Sequence, residues 1–180
     1  MNAPQTFSAP GDLEHPRSSS PDASGAAAGV LLGIARHGRP RGPIELLDRA
    51  AVSIEGGIAG DYRGAVKPGG RARRQLTLME AGDWLAAVKQ VGVPVEWQER
   101  RVNLLVGELD LPQRAGVCLR IGDQVRVEIT GECDPCRRMD EVAPGLRIAL
   151  TPDWRGGVLS RVLAGGEIRV GDRIVVEELS

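Results

Sequence analysis

The chain has 180 residues, 42% of them hydrophobic, which suffices for one buried core and is too short for two domains of ordinary size. A formal net charge of -1 supplies no overall field to recruit nucleic acid or an anionic membrane, so any anion site has to be local. Three cysteines make no disulfide framework and the start of the chain carries no ordinary secretory signal, so a cytoplasmic, reducing location is expected.

Residues 1–27, "MNAPQTFSAPGDLEHPRSSSPDASGAA", are rich in Pro, Ser, Ala and Gly without an apolar period. They read as a disordered tail, with the folded domain over 28–180. His15 falls in that tail, which leaves His37 as the other histidine. The run "GAAAGVLLGIA" at 25–35 is too short to span a bilayer and reads as a first buried strand. Glycine-punctuated β-like segments then recur: "GVLLGIA", "AVSIEGG", "RVNLLVGE", "VCLRIG", "QVRVEITGE", "GGVLSRVLAGG" and "EIRVGDRIVVEE". They predict a mainly β fold, an antiparallel sheet or partly closed barrel. One helix interrupts the series: Thr77 and Glu80 have capping-box spacing, Ala81, Trp84, Leu85, Val88 and Val91 share a face, and Gly92 and Pro94 stop it. Shorter helical pieces are expected between Cys136 and Pro144 and from Pro144 to Leu150.

The stretch "GECDPCRRMDE" at 131–141 carries the most chemistry. A zinc ribbon needs four ligands, yet Cys118 lies in an apolar strand-like run and His37 is remote, so structural zinc is disfavoured. A thioredoxin-type dithiol expects a βαβ setting that this chain does not display; an incidental turn stays open beside a single working thiol. Cys136 follows Pro135 at the end of a long strand and precedes Arg137 and Arg138. Helix-start amides and guanidinium groups both stabilise a thiolate, so Cys136 is the candidate nucleophile or soft ligand and Cys133 an accessory or resolving thiol. "GGIAGDYRG" at 56–64 offers a tight turn ending in Asp61 beside Arg63. "ERRVNLLV" at 99–106 places Arg101 and Asn103 at i and i+2 of an expected strand, where both could hold an oxyanion. "DWRGGV" adds Arg155. Each of these three also has an ordinary reading as a turn or a solvated strand face.

The order "GIAGD", "RQLTLME", "RRVNLLV", "LRIGDQVRVEITGECDPCRRMD", "RGGVLSRVLAGGEIRVGDRI" resembles the MOSC domain, named for the C-terminal domain of molybdenum cofactor sulfurase, over about residues 29–178. The resemblance implies a distorted β-barrel, MOSC or pyruvate-kinase-barrel-like, with a few short helices. It also implies a site for the molybdenum cofactor (molybdopterin), a pterin bearing a dithiolene and a phosphate. By the same resemblance Cys136 is the reactive cysteine, a molybdenum ligand or persulfide carrier, and Arg101 and Asn103 are expected at the pterin or its phosphate. A soft thiolate suits a metal already held by sulfur, and an anionic phosphate calls for arginine or backbone amides. Longer stand-alone relatives carry "HGG" after the "GD" turn; here "YRGAVKPGGRARRQ" stands instead, so Arg73 or Arg74 is expected to supply the anion contact. Asp61 and Arg155 complete the expected cofactor-binding set. Two activities follow from the resemblance: reduction of an N-hydroxylated small-molecule substrate with an external electron-donor reductase, or transfer of sulfur received from a cysteine desulfurase. A non-catalytic cofactor-binding or interaction module and a Cys133/Cys136 dithiol redox protein are the alternatives.

Overall fold

The computed structural model describes residues 26–177 apart from Lys67, so the expected tail lies outside the described residues except for positions 26 and 27. The elements run β1 (Ala28–Arg36), β2 (Glu45–Leu47), β3 (Arg49–Ser53), β4 (Gly57–Ile58), β5 (Leu76–Glu80), α1 (Ala81–Val91), a 3-10 turn (Trp97–Arg100) and β6 (Leu104–Gly107). They continue with β7 (Cys118–Ile121), β8 (Val125–Glu132), α2 (Arg138–Val142), α3 (Leu146–Ala149), a 3-10 turn (Pro152–Trp154), β9 (Val158–Ala164), β10 (Gly166–Arg169) and β11 (Arg173–Glu177).

Seven strands close on themselves in the order β11-β7-β8-β9-β5-β6-β1, because β1 also pairs with β11 through Val30 and Arg173. The fold is therefore mainly β, as expected, and the barrel is fully closed. Alternate side chains point inward with the two-residue period of a strand: Leu119 and Ile121 from β7, Val125, Val127 and Ile129 from β8, Leu104 and Val106 from β6. Each fully buried Leu or Val of this kind contributes about 1.5–3 kcal/mol of transfer free energy. A small sheet in the order β10-β3-β4 adds Ala50, Val52, Ile58 and Ile168 to the same core. Buried Gln75 links the two sheets, donating to the Ile54 carbonyl at 2.6 Å and accepting from the Val162 amide at 2.9 Å. "EIRVGDRIVVEE" thus divides into β10 of the small sheet and β11 of the barrel.

The β5–β6 pair is parallel, and parallel neighbours need a crossover connection, which α1 supplies. Its end follows the sequence reading: Gly92 takes the left-handed C-cap conformation (φ 69°) and returns its amide to Val88. Its start does not. Thr77 lies inside β5, and Glu80 caps α1 without a side-chain bond, so the capping-box spacing is coincidental. Leu85 also departs from the expected buried face, being 66% exposed, whereas Trp84 and Ala87 are buried. The helices share a second core outside the barrel, in which Met79, Trp84 and Val102 meet Met139, Ala143, Leu146 and Leu150. Met139 anchors α2 there, and this fixes where the residues just before it are displayed.

Candidate functional site

Beyond β8 the chain does not return at once into the sheet. The Cys133 amide donates to the Gly157 carbonyl at 2.8 Å, and the buried Arg100 guanidinium grips the loop from below. Its Nη2 donates to the carbonyls of Cys133 (2.7 Å) and Gly156 (2.8 Å) and lies 3.5 Å from Cys133 Sγ. Arg74 Nη2 stands 4.0 Å from the same sulfur. A side chain at position 156 would bring its Cβ to 3.0 Å from Arg100 Nη2 and 3.2 Å from Pro135 Cδ, so glycine is what allows this loop to close down. Cys133 is buried by that closure. Three residues on, the turn into α2, set by the Met139 amide on the Cys136 carbonyl (2.9 Å), leaves Cys136 exposed.

Cys136 opens onto a cleft of about 740 Å³ lined by Arg41, Arg137, Arg138 and Arg147 with Asp140 and Glu141. Asp140 is engaged by Arg147 at 3.1 Å, so the cationic edge of the cleft is made by Arg41, Arg137 and Arg138. Arg101 supports that edge. It adopts a left-handed conformation (φ 61°) at the end of the 3-10 turn, and its Nη2 donates to the Gly42 carbonyl at 2.7 Å, holding the loop that carries Arg41. Its Nε is buried without a partner. Burial, with the charges of Arg138 and Arg63, lowers the Arg101 pKa from its ordinary value.

Behind this edge lies a buried pair. Asp61 Oδ1 accepts the His37 amide (3.0 Å) and lies 3.1 Å from His37 Nδ1, while Oδ2 accepts the Arg63 amide at 3.3 Å. The His37 carbonyl takes the Tyr62 amide at 3.1 Å, and the two rings meet edge to face with centroids 4.8 Å apart. His37 is held below its usual pKa mainly by burial; Asp61 opposes this, and Arg63, Arg101 and Arg138 add to it. His37 Nε2 has no partner.

The expected site residues thus fall in distinct places. Asp61 contacts His37 directly, the charges of Arg101 and Arg138 act on that ring, and Arg138 also lines the Cys136 cleft. Arg74 lies under the loop at Cys133. Asn103 does not share a strand face with Arg101, since β6 starts at Leu104 and Arg101 ends a 3-10 turn. The Asn103 amide is buried instead: Oδ1 accepts from the Thr77 amide (3.1 Å) and hydroxyl (2.9 Å), and Nδ2 donates to the Ala35 carbonyl (3.3 Å). Arg155 contacts the Ala149 carbonyl and acts on Asp83, on the side of α1 and α3. His37, remote in sequence from the cysteines, and Arg100 and Arg41 are not among the residues expected at the site. For His37 and Arg41 the available signal is the cationic run "ARHGRPRG" at 35–42, which overlaps the end of β1.

The fold and cleft define a closed β-barrel protein that displays one exposed thiol beside several guanidinium groups. The chain belongs to the MOSC domain family, whose profile matches residues 65–175. The YuaD protein from Bacillus subtilis is similar in structure, with a TM-score of 0.70 at 20% identity over 86% of this chain and 98% of that one. YiiM from Geobacillus stearothermophilus gives 0.57 at 16% identity over 83% and 73% of the two chains. YiiM from Escherichia coli gives 0.57 at 15% over 84% and 71%. At these identities the likeness concerns the fold. No curated protein matches the sequence. Among the described residues no helix is long and apolar enough to cross a membrane, and no group of three or more His, Cys, Asp or Glu is placed to hold a metal ion.

Proposed function

We propose that the cleft at Cys136 serves the molybdenum cofactor, with the Cys136 thiolate as a soft ligand to the metal or as a persulfide carrier that delivers sulfur to it. The observation that carries this reading is the exposure of Cys136 in a cleft edged by Arg41, Arg137 and Arg138. A metal here would need most of its ligands from outside the described side chains, and a dithiolene-bearing pterin brings its own. The donor set also fits the rest of that group: sulfur for a soft metal, guanidinium groups for a phosphate. When bound, the cofactor would supply two-electron chemistry suited to an N-hydroxylated substrate, with electrons from a separate reductase.

The protein's own residues have distinct tasks in this scheme. Arg41 and Arg138 bind and orient the anionic end of the ligand, and Arg101 fixes the loop that presents Arg41. Arg100 holds the carbonyls of Cys133 and Gly156, setting the position from which Cys136 projects. Asn103 and Asp61 act one step further back, as positioning residues of the barrel rim and of His37. Arg74 places a second guanidinium beside Cys133. In the carrier role, the Cys136 thiolate attacks the outer sulfur of a desulfurase persulfide, the donor thiolate leaves, and Cys136 keeps the sulfane sulfur; no external oxidant is needed.

The test is to purify the protein from cells that make the cofactor and to measure molybdenum, pterin and sulfane sulfur together. Stoichiometric molybdenum that disappears in Cys136→Ser supports the ligand role, and a Cys136 persulfide without metal supports the carrier. Absence of metal, pterin and persulfide after incubation with a desulfurase and cysteine would overturn both and leave a binding module.

A further inference from the structure

The buried pair behind the cleft has a feature that the fold does not use. His37 is 3% exposed, and its Nδ1 is committed to Asp61 at 3.1 Å. The geometry of an imidazole turns Nε2 away from the atom that engages Nδ1, and here Nε2 meets no partner. A buried polar atom left in this way carries an unmet desolvation cost that a ligand could relieve. The surroundings are cationic. Arg63 is held by its Nε on the Tyr62 hydroxyl at 2.6 Å, Arg101 by its Nη2 on the Gly42 carbonyl, and Arg138 lies on the cleft wall. The Arg101 Nε is a second orphaned donor in the same group. The charged and titratable neighbours that act on His37 are Asp61, Arg63, Arg101 and Arg138, with Tyr62 packed against its ring.

We propose that His37 is the proton-accepting member of an oxyanion site: a phosphate group lodged among Arg63, Arg101 and Arg138 draws a proton onto His37 Nε2, which then donates a hydrogen bond to it. With Nδ1–H given to Asp61, the neutral ring offers the anion only a lone pair at Nε2; protonation converts that atom into a donor. An anion among the three guanidinium groups cancels the field that opposes this proton. Proton and anion therefore favour each other's binding by the same factor. Asp61 keeps the ring in the required tautomer and opposes the arginines, which makes it a positioning residue. Tyr62, with Arg63 stacked over its own ring, packs against His37 and has to shift for the phosphate to seat. The proposal deepens the reading that this face takes a phosphate-bearing ligand, but it names a different atom and is tested without the cofactor.

Only His15 and His37 report in an imidazole NMR titration, and His15→Gln leaves His37 alone. In that protein, at fixed ionic strength, saturating inorganic phosphate should raise the His37 midpoint by about one pH unit or more, equivalent to roughly tenfold tighter phosphate binding by the protonated form. Phosphate affinity should weaken as pH rises through that window. In His37→Phe the pH dependence should flatten, and in Arg138→Met the phosphate-induced shift should shrink; the latter change is on the cleft wall and does not touch the barrel core. A midpoint that phosphate does not move, or moves equally in Arg138→Met, overturns the proposal. If the cofactor can be loaded, a His37 midpoint already raised without added phosphate assigns the anion to the pterin; one that still responds to added phosphate assigns it to a substrate. Failure to load the cofactor removes the functional reading and leaves the apo-protein result standing.

Discussion

Glu80 stands at the junction of β5 and α1, where its carboxyl is partly buried and accepts the Leu111 amide at 2.5 Å. Burial, reinforced by Asp83 and Asp110 and opposed by that hydrogen bond, raises its pKa from 4.5 to about 7. The direction of the linkage is fixed by which state holds the proton. Between 4.5 and about 7 the folded protein keeps it while the unfolded chain has released it, so stability falls as pH rises through this window. At about 1.4 kcal/mol per pH unit the full effect would be about 3 kcal/mol; water reaches one side of the group, which reduces it to about 1–2 kcal/mol. Glu80→Gln keeps an acceptor for Leu111 and cannot ionise. It should therefore match the parent near pH 4 and exceed it near pH 8 by about 1–2 kcal/mol, or roughly 2–4 °C in Tm per kcal/mol. Thermal unfolding followed by circular dichroism at both pH values decides this. A variant no more stable than the parent at the higher pH, or better by the same margin at both, refutes the assignment.

Arg100→Met should remove about 2–4 kcal/mol in urea denaturation, because the buried carbonyls of Cys133 and Gly156 lose their shared donor, and Arg100→Lys should recover only part of it. A methionine variant within about 0.5 kcal/mol of the parent contradicts the clamp. For the rim, Asn103→Leu and Thr77→Val should be non-additive, with a coupling of about 1–2 kcal/mol in a double-mutant cycle, since each side chain completes the other's hydrogen bonds. Simple additivity would show that the two do not act as a unit.

The strands most legible in the sequence were those with one face in the core. β8 alternates buried and partly exposed positions along "VRVEIT", and the pattern is visible without knowing its partners. β5 was hidden because Leu76, Thr77, Leu78 and Met79 are all buried, between the barrel interior on one side and the helical layer on the other. A strand covered on both faces loses its alternation, and the accidental Thr–Glu spacing then mimicked a cap. Leu85 has the right period for a helix face but lacks a neighbouring element, which no local pattern reveals. Cys136 could be picked out because its cues are sequential: a proline before it and arginines after. His37 could not, since the carboxylate that orients it is 24 residues away and the arginines that act on it come from three other segments. The strand placement of Arg101 failed for a backbone reason, a left-handed arginine that ends one turn before β6 starts.

The pairing of β1 with β11 carries a consequence for biogenesis. Val30 and Arg173 lie in the first and last of the described strands, so β1 must wait for β11 before the ring is sealed. Until then both have open edges, a hazard for misassociation that favours shielding of the nascent chain.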